Sequence, residues 1–194
     1  MNVEAVIEAE KRRQGDPDPV TTAYSRLALT QGALLKEEYD HGTHFFAGGA
    51  VLGAAVVDTV HLIHLNQEHG FEAVDRALRA QVQALRELCP RAKVVRIHHD
   101  AFAAVLGPTA EQRVEPSLRP RLQAALDAAT RAALGREAKV DFWVALLQLT
   151  VTAPPNHEVL GPLLWGECER ALVLEQRGQG GGVIRRAVNF DATV

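Results

Sequence analysis

The run Ala50 to Val57, Ala-Val-Leu-Gly-Ala-Ala-Val-Val, constrains the fold more than any other stretch of the chain. Its residues are small or apolar throughout, with no polar alternation, and it stops at Asp58. A strand of this kind has no face to offer to water. It belongs in the middle of a sheet, with further layers covering both sides. Even counted from Phe45, the apolar run is too short to cross a bilayer.

The remaining periodic segments supply those layers. A helix is expected from Ser25 to Tyr39, followed by a loop from His41 to Gly49. Phe71 to Leu88 is a second helix, with Phe71, Val74, Leu78, Val82, Leu85 and Leu88 on one apolar face. Pro90 ends it. Val94 to Ile97 and Phe102 to Leu106 are two short strands around the polar step His98-His99-Asp100-Ala101, which reads as a β-hairpin. A helix over Glu111 to Leu134 turns Leu118, Leu122, Ala125, Leu126, Ala129 and Ala133 inward, with Pro116 and Pro120 delaying its regular start. Val140 to Val151 is a long strand, and Ala153 to Asn156 a loop. Leu160 to Gln176 is a helix with Leu164, Cys168, Ala171 and Leu172 inward, and Val183 to Val188 is a last strand after the Gly180 to Gly182 turn. The pattern predicts an α/β (α+β) domain: a central, mostly antiparallel five-stranded sheet flanked by helices. Residues 3–13 form a short helix or a frayed tail, cut off by Asp16-Pro17-Asp18-Pro19. Residues 1–15 are therefore set apart from a domain over 16–194.

Composition narrows the function classes. The formal net charge is −3 and no basic block occurs, which argues against a nucleic-acid binder held mainly by phosphate contacts. Cys89 and Cys168 have no CxxC spacing and read as packing thiols in a reducing cytoplasm. The start, MNVEAVIEAEKRR, is charged and amphipathic rather than a secretory leader, and no membrane span is expected.

The residues that could carry chemistry lie at strand ends and at the hairpin tip, a common place to hold function. Asp58 closes the central strand, His61 follows three residues on, and His98 and His99 adjoin Asp100. Imidazoles beside carboxylates suit Zn²⁺ or another transition metal. The plainer reading of the same histidines is as solvated or locally hydrogen-bonded groups.

Several partial motifs occur in order. Arg96-Ile97-His98-His99-Asp100-Ala101-Phe102 resembles the signature of the GGDEF family, the bacterial diguanylate cyclase domains. There an Arg, one residue, then Gly-Gly-Asp/Glu-Glu-Phe runs into an apolar strand. Asp18, Thr21 and Arg26 resemble the family's D-x-L-T-G-L-x-N-R-R. Asp58, Asn66 and Gly70 match its L-D-x-D-x-F-K-x-I-N-D-x-x-G without a gap. Asp75 and Leu78 sit in the frame of its G-D-x-x-L, and Ala171 to Arg177 is similar to its A-L-Y-x-A-K. The resemblance covers roughly residues 16–188.

The resemblance implies a nucleotide-cyclase or polymerase-palm architecture. It also implies an ancestral reaction that joins two GTP molecules held by facing domains, using Mg²⁺. Asp58 and Asp100 would hold the metal through hard oxygens, and Asn66 and Asp75 would read guanine. Each of these four also reads plainly as a turn, cap or surface residue. The departures fall on the phosphate side. His98 and His99 replace glycines whose missing Cβ lets backbone approach phosphate. Ala101 replaces the catalytic carboxylate, Ile63 and Gln176 replace lysines, and Cys89 to Ala92 lacks the R-x-x-D product-inhibition motif. The expectation is a vestigial nucleotide site at Asn66, Asp75, His98, His99 and Asp100, and a vestigial metal pair at Asp58 and Asp100. No cofactor is expected, with Mg²⁺ only if nucleotide still binds. The expected function is a catalytically inactive GGDEF-like domain acting in bacterial signalling, through a protein partner or self-association. The alternatives are a module for guanine nucleotide or cyclic di-GMP, a residual diguanylate cyclase, or a His/Asp transition-metal site.

Overall fold

The computed structural model describes residues 17–32, 34–35, 50–106, 114–152 and 157–190. Among them, β1 (Ala50–Thr59), β2 (Lys93–Arg96), β3 (Ala101–Leu106), β4 (Phe142–Thr152) and β5 (Val183–Asn189) form one sheet in the order β2-β3-β1-β4-β5. β1 lies at its centre, antiparallel to both neighbours, with Asp58 opposite Ala101 on one side and Trp143 on the other. β5 runs parallel to β4, so the sheet is mixed. Its flanking helices are α1 (Arg26–Thr30), α2 (Leu62–His69), α3 (Phe71–Leu88), α4 (Leu118–Leu134) and α5 (His157–Gln176).

Every residue of β1 from Leu52 to Thr59 is buried, as its uninterrupted apolar character requires. The two-residue period of the strands divides the core. Leu52, Ala54 and Val56 of β1 join Ala103, Val105, Leu147 and Leu149 beneath α1 and α5. Ala55 and Val57 join Phe102, Ala104, Val144 and Leu146 beneath α3 and α4. The sheet is a filled layer between two helical layers. A buried polar chain crosses one of these interfaces: the Thr59 hydroxyl donates to Gln81 Oε1, and Gln81 Nε2 donates to Thr130 Oγ1, both at 3.1 Å. Each buried polar atom in it is thereby matched.

Some boundaries differ from expectation. The helix expected as far as Tyr39 is interrupted: α1 ends at Thr30, Gly32 adopts a left-handed φ of 70°, and Leu34 and Leu35 are helical again. Residues 36–39, the loop from His41 to Gly49, the loop from Ala153 to Asn156 and the N-terminal helix over 3–13 lie outside the described residues. β1 extends through Asp58 and Thr59, β4 begins at Phe142 and α5 begins at His157. α4 begins at Leu118, with Pro120 in its first turn, where a missing N–H costs no intrahelical bond. α2 has no counterpart in the sequence reading; only Leu65 of it is buried, so its apolar period is faint. Phe71, expected to face the core, is 74% exposed. It is the first residue of α3, directly after Gly70 (φ 80°) breaks the chain away from α2.

The segment before α1 pairs along the outer edge of β2: Tyr24 N donates to the Val94 carbonyl and Arg96 N to the Tyr24 carbonyl, both at 2.8 Å. That edge is covered. Among the described residues, no helix is long and apolar enough to cross a membrane.

Candidate functional site

The end of β1, the hairpin tip, α2 and the first turns of α3 enclose a cleft of about 700 Å³. Asp58 reaches it from β1, Asp100 from the hairpin, Asn66 from α2 and Asp75 from α3, and His99 closes one side. Residues from four chain segments thus meet in one place. They do so because β1 and β3 are in register at Asp58 and Ala101, with Thr59 N donating to the Asp100 carbonyl at 3.3 Å.

Asp58 is 8% exposed. Burial, then the nearby Asp100 carboxylate, push its carboxyl up to about 6. A hydrogen bond from Gln176 Nε2 to Asp58 Oδ2, 3.1 Å long, opposes that rise. Gln176 lies at the last position of α5, so a neutral amide from across the fold is what touches the acid. Between roughly pH 4 and 6 the folded carboxyl keeps a proton that the unfolded one, near 3.8, has released. The folded state therefore binds more protons there, and stability falls as pH rises through that window. Asp58→Asn is expected to stabilise the protein by about 1–2 kcal/mol at pH 8, with the gain vanishing near pH 4. Urea titrations at the two pH values measure this; a gain equal at both would contradict it.

Arg96 is the organiser of the tip. Its Nη1 contacts both carboxylate oxygens of Asp18 at 2.9 Å. Its Nη2 donates to the His99 carbonyl, and its Nε to the His98 carbonyl at 3.3 Å. The guanidinium fork thus ties the hairpin turn to the segment before α1. Burial alone would raise the Asp18 carboxyl, but the Thr21 hydroxyl and amide and Arg96 outweigh it and hold it below the usual range. The signal for this pair was present in the sequence, since both residues sit in motif frames, but nothing there says that they touch.

His98 does not join the cleft. Its Nε2 lies 3.0 Å from Glu169 Oε1 on α5, and the residue lines a neighbouring hollow of about 830 Å³ with Asp18 and Arg26. Of the expected vestigial set, Asn66, Asp75, His99 and Asp100 line the cleft, and His98 lines the neighbouring hollow, which His99 also borders. Among the described residues, no three His, Cys, Asp or Glu side chains are placed to hold an ion. His61, the N-cap residue of α2 at a left-handed φ of 60°, lines the cleft beside His64 with ring centroids 5.4 Å apart, while His98 is drawn to Glu169 on α5.

No protein-family model matches the sequence, and no curated protein does. Solved structures do match. A diguanylate cyclase/phosphodiesterase from Caldicellulosiruptor saccharolyticus superposes with a TM-score of 0.60 at 14% identity, over 90% of this chain and 96% of that one. The fold is that of the GGDEF domains. The GGDEF domain of YfiN (TpbB) from Pseudomonas aeruginosa matches at TM-score 0.57 and 20% identity, over 88% of this chain and 93% of that one. The diguanylate cyclase SiaD of the same organism, solved with its activator SiaC, matches at 0.58 and 14%, over 96% of this chain and 66% of that one.

Within the GGDEF-like fold, the cleft mixes acidic and imidazole side chains with apolar ones, buried Val74 and Leu78 among them. Ile63 and Phe71 line it while 71% and 74% exposed. Ala101 is 1% exposed and packs in the core layer with Ala103 and Val105, so the hairpin presents one carboxylate to the cleft, that of Asp100. The carboxylates of Asp58, near the end of β1, and Asp100, in the hairpin turn, offer hard oxygens of the kind Mg²⁺ takes.

Proposed function

We infer that this chain is a catalytically silent GGDEF-like domain that acts by binding a protein partner. The observation that carries the reading is the contact between Gln176 and Asp58. Phosphoryl chemistry on a triphosphate needs cations around developing negative charge. Here the acid on the cleft floor meets a neutral amide, Ile63 presents a hydrocarbon, and Arg96 is engaged with Asp18 and two carbonyls. The tip adds to this. The His98 N–H donates to the Ala101 carbonyl at 3.3 Å, so that amide is committed within the turn rather than turned to a phosphate. SiaD, with the same fold, is found with a protein activator, which supports a protein partner here.

The domain spans 16–194, with residues 1–15 outside it. It works without a cofactor, through a partner or by self-association. A cytoplasmic location suits two buried free thiols, Cys89 and Cys168. A second reading, a guanine-nucleotide module, is favoured by one feature: Asn66 and Asp75 share the cleft with Asp58 and Asp100.

Prolonged incubation with GTP and Mg²⁺ tests the first reading. Chromatography is expected to find no cyclic di-GMP, and any product would overturn it. Calorimetry with GTP, GDP and cyclic di-GMP separates the two, because the partner-binding reading expects no heat. Heat with GTP that depends on Asn66 would establish the second.

A further inference from the structure

The cleft carries two properties that do not suit the same small ligand. Asp58, Asp75 and Asp100 line it together with His61, His64 and His99, and the one arginine among its described lining residues, Arg96, is held by Asp18 and by the His98 and His99 carbonyls. Polyphosphate entering such a space meets carboxylates with little opposing charge. At the mouth stand Ile63 and Phe71, the two most exposed large apolar side chains among the described residues. A lone metal ion would answer the acids and leave both of these in water. Only an occupant with a cationic end and apolar neighbours answers both.

We propose that the cleft receives an arginine side chain of a protein partner, whose residues on either side of that arginine are apolar and pack on Ile63 and Phe71. This rests on the partner-binding reading above and specifies the partner's chemistry. A guanidinium is planar and presents several donors in a fork, so one group can serve Asp58 on β1 and Asp100 on the neighbouring hairpin together. Its aliphatic stem can lie along Leu62 and Trp143, which also line the cleft. The volume of about 700 Å³ leaves room for the side chain. Because Gln176 donates to Asp58, an entering guanidinium would displace or share that bond, and α5 would then register occupancy.

The test uses fluorescein-labelled pentapeptide pools with mixed Leu, Ile and Phe flanks around a fixed central residue, either arginine or citrulline. Citrulline keeps the shape and removes the charge. Fluorescence anisotropy is expected to show the arginine pool binding at least about tenfold more tightly than the citrulline pool. Asp58→Asn with Asp100→Asn should abolish that preference. Phe71→Ser, at an exposed position that leaves the fold intact, should weaken both pools. Equal binding of the pools, no binding of the arginine pool, or indifference to Phe71→Ser would each overturn the proposal. So would a concentration-dependent dimer, seen by ultracentrifugation and lost in Phe71→Ser, since a second copy would then be the occupant. Cyclic di-GMP formation or heat with GTP on the same preparation sinks the underlying reading. A protein silent to GTP that ignores the arginine pool sinks this inference alone.

Discussion

Gly161→Ala is expected to destabilise the protein by roughly 3 kcal/mol, as a lower urea midpoint with an unchanged slope. Gly161 lies in α5 where the helix meets the end of α1. A Cβ there would overlap the Leu29 carbonyl oxygen and come within 2.8 Å of the Gly32 amide nitrogen. These are backbone atoms, which cannot rotate aside as a side-chain tip can. Gly166, five residues on in the same helix, meets nothing within 4 Å. Gly166→Ala should therefore stabilise by about 0.5–1 kcal/mol, since alanine loses less backbone entropy in a helix. The pair makes a controlled comparison of one chemical change in one helix. If Gly161→Ala matched the wild type, α1 would not be seated against α5 as described.

Arg96→Ala is expected to cost about 2–3 kcal/mol at neutral pH. The side chains of Arg96 and Asp18 are 20% and 15% exposed, so removing the cation leaves a largely buried carboxylate facing no charge. It also frees the His98 and His99 carbonyls and removes the guanidinium from over the Phe102 ring, 5.9 Å away. The sign with pH follows from Asp18. Its folded carboxyl is held below 3.8, so its contribution is present above that value and is lost as pH falls through the folded value. The gap between Arg96→Ala and wild type should therefore be widest at neutral pH and shrink in acid. Arg96→Lys should restore only part, because a single ammonium nitrogen cannot hold the carboxylate and reach both carbonyls at once. A double-mutant cycle with Asp18→Asn measures the coupling; additive effects would show that the two side chains act separately.

The layers were legible because they rest on periodicity. The β1 run could only be a central strand, and the α3 pattern from Val74 to Leu85 places one face on the sheet. The inward set of α5, Leu164, Cys168, Ala171 and Leu172, is buried as its spacing implies. Gathering Asp58, Asn66, Asp75 and Asp100 into one cleft was legible through motif order, since the resemblance to the GGDEF signature carries relative position as well as residue type. Phe71 was misplaced because a periodic rule assumes that the whole helix lies on the core, whereas its first residue stands at the cleft mouth. Sequence adjacency did not report that His98 and His99 share the neighbouring hollow while only His99 also lines the cleft, since the partner of His98, Glu169, lies 71 positions away on α5.

What the chain dictates by itself is which residues avoid water and with what period, and this was enough for the sheet, its covering layers and the place where the acids meet. What only the folded molecule decides is which groups are paired across long separations. Arg96 takes Asp18 from 78 positions away, Gln176 takes Asp58 from 118, and Gln81 joins Thr59 to Thr130. Hydrophobic burial follows local pattern, but a hydrogen bond or ion pair needs two particular atoms within about 3 Å. No one-dimensional spacing reports that distance.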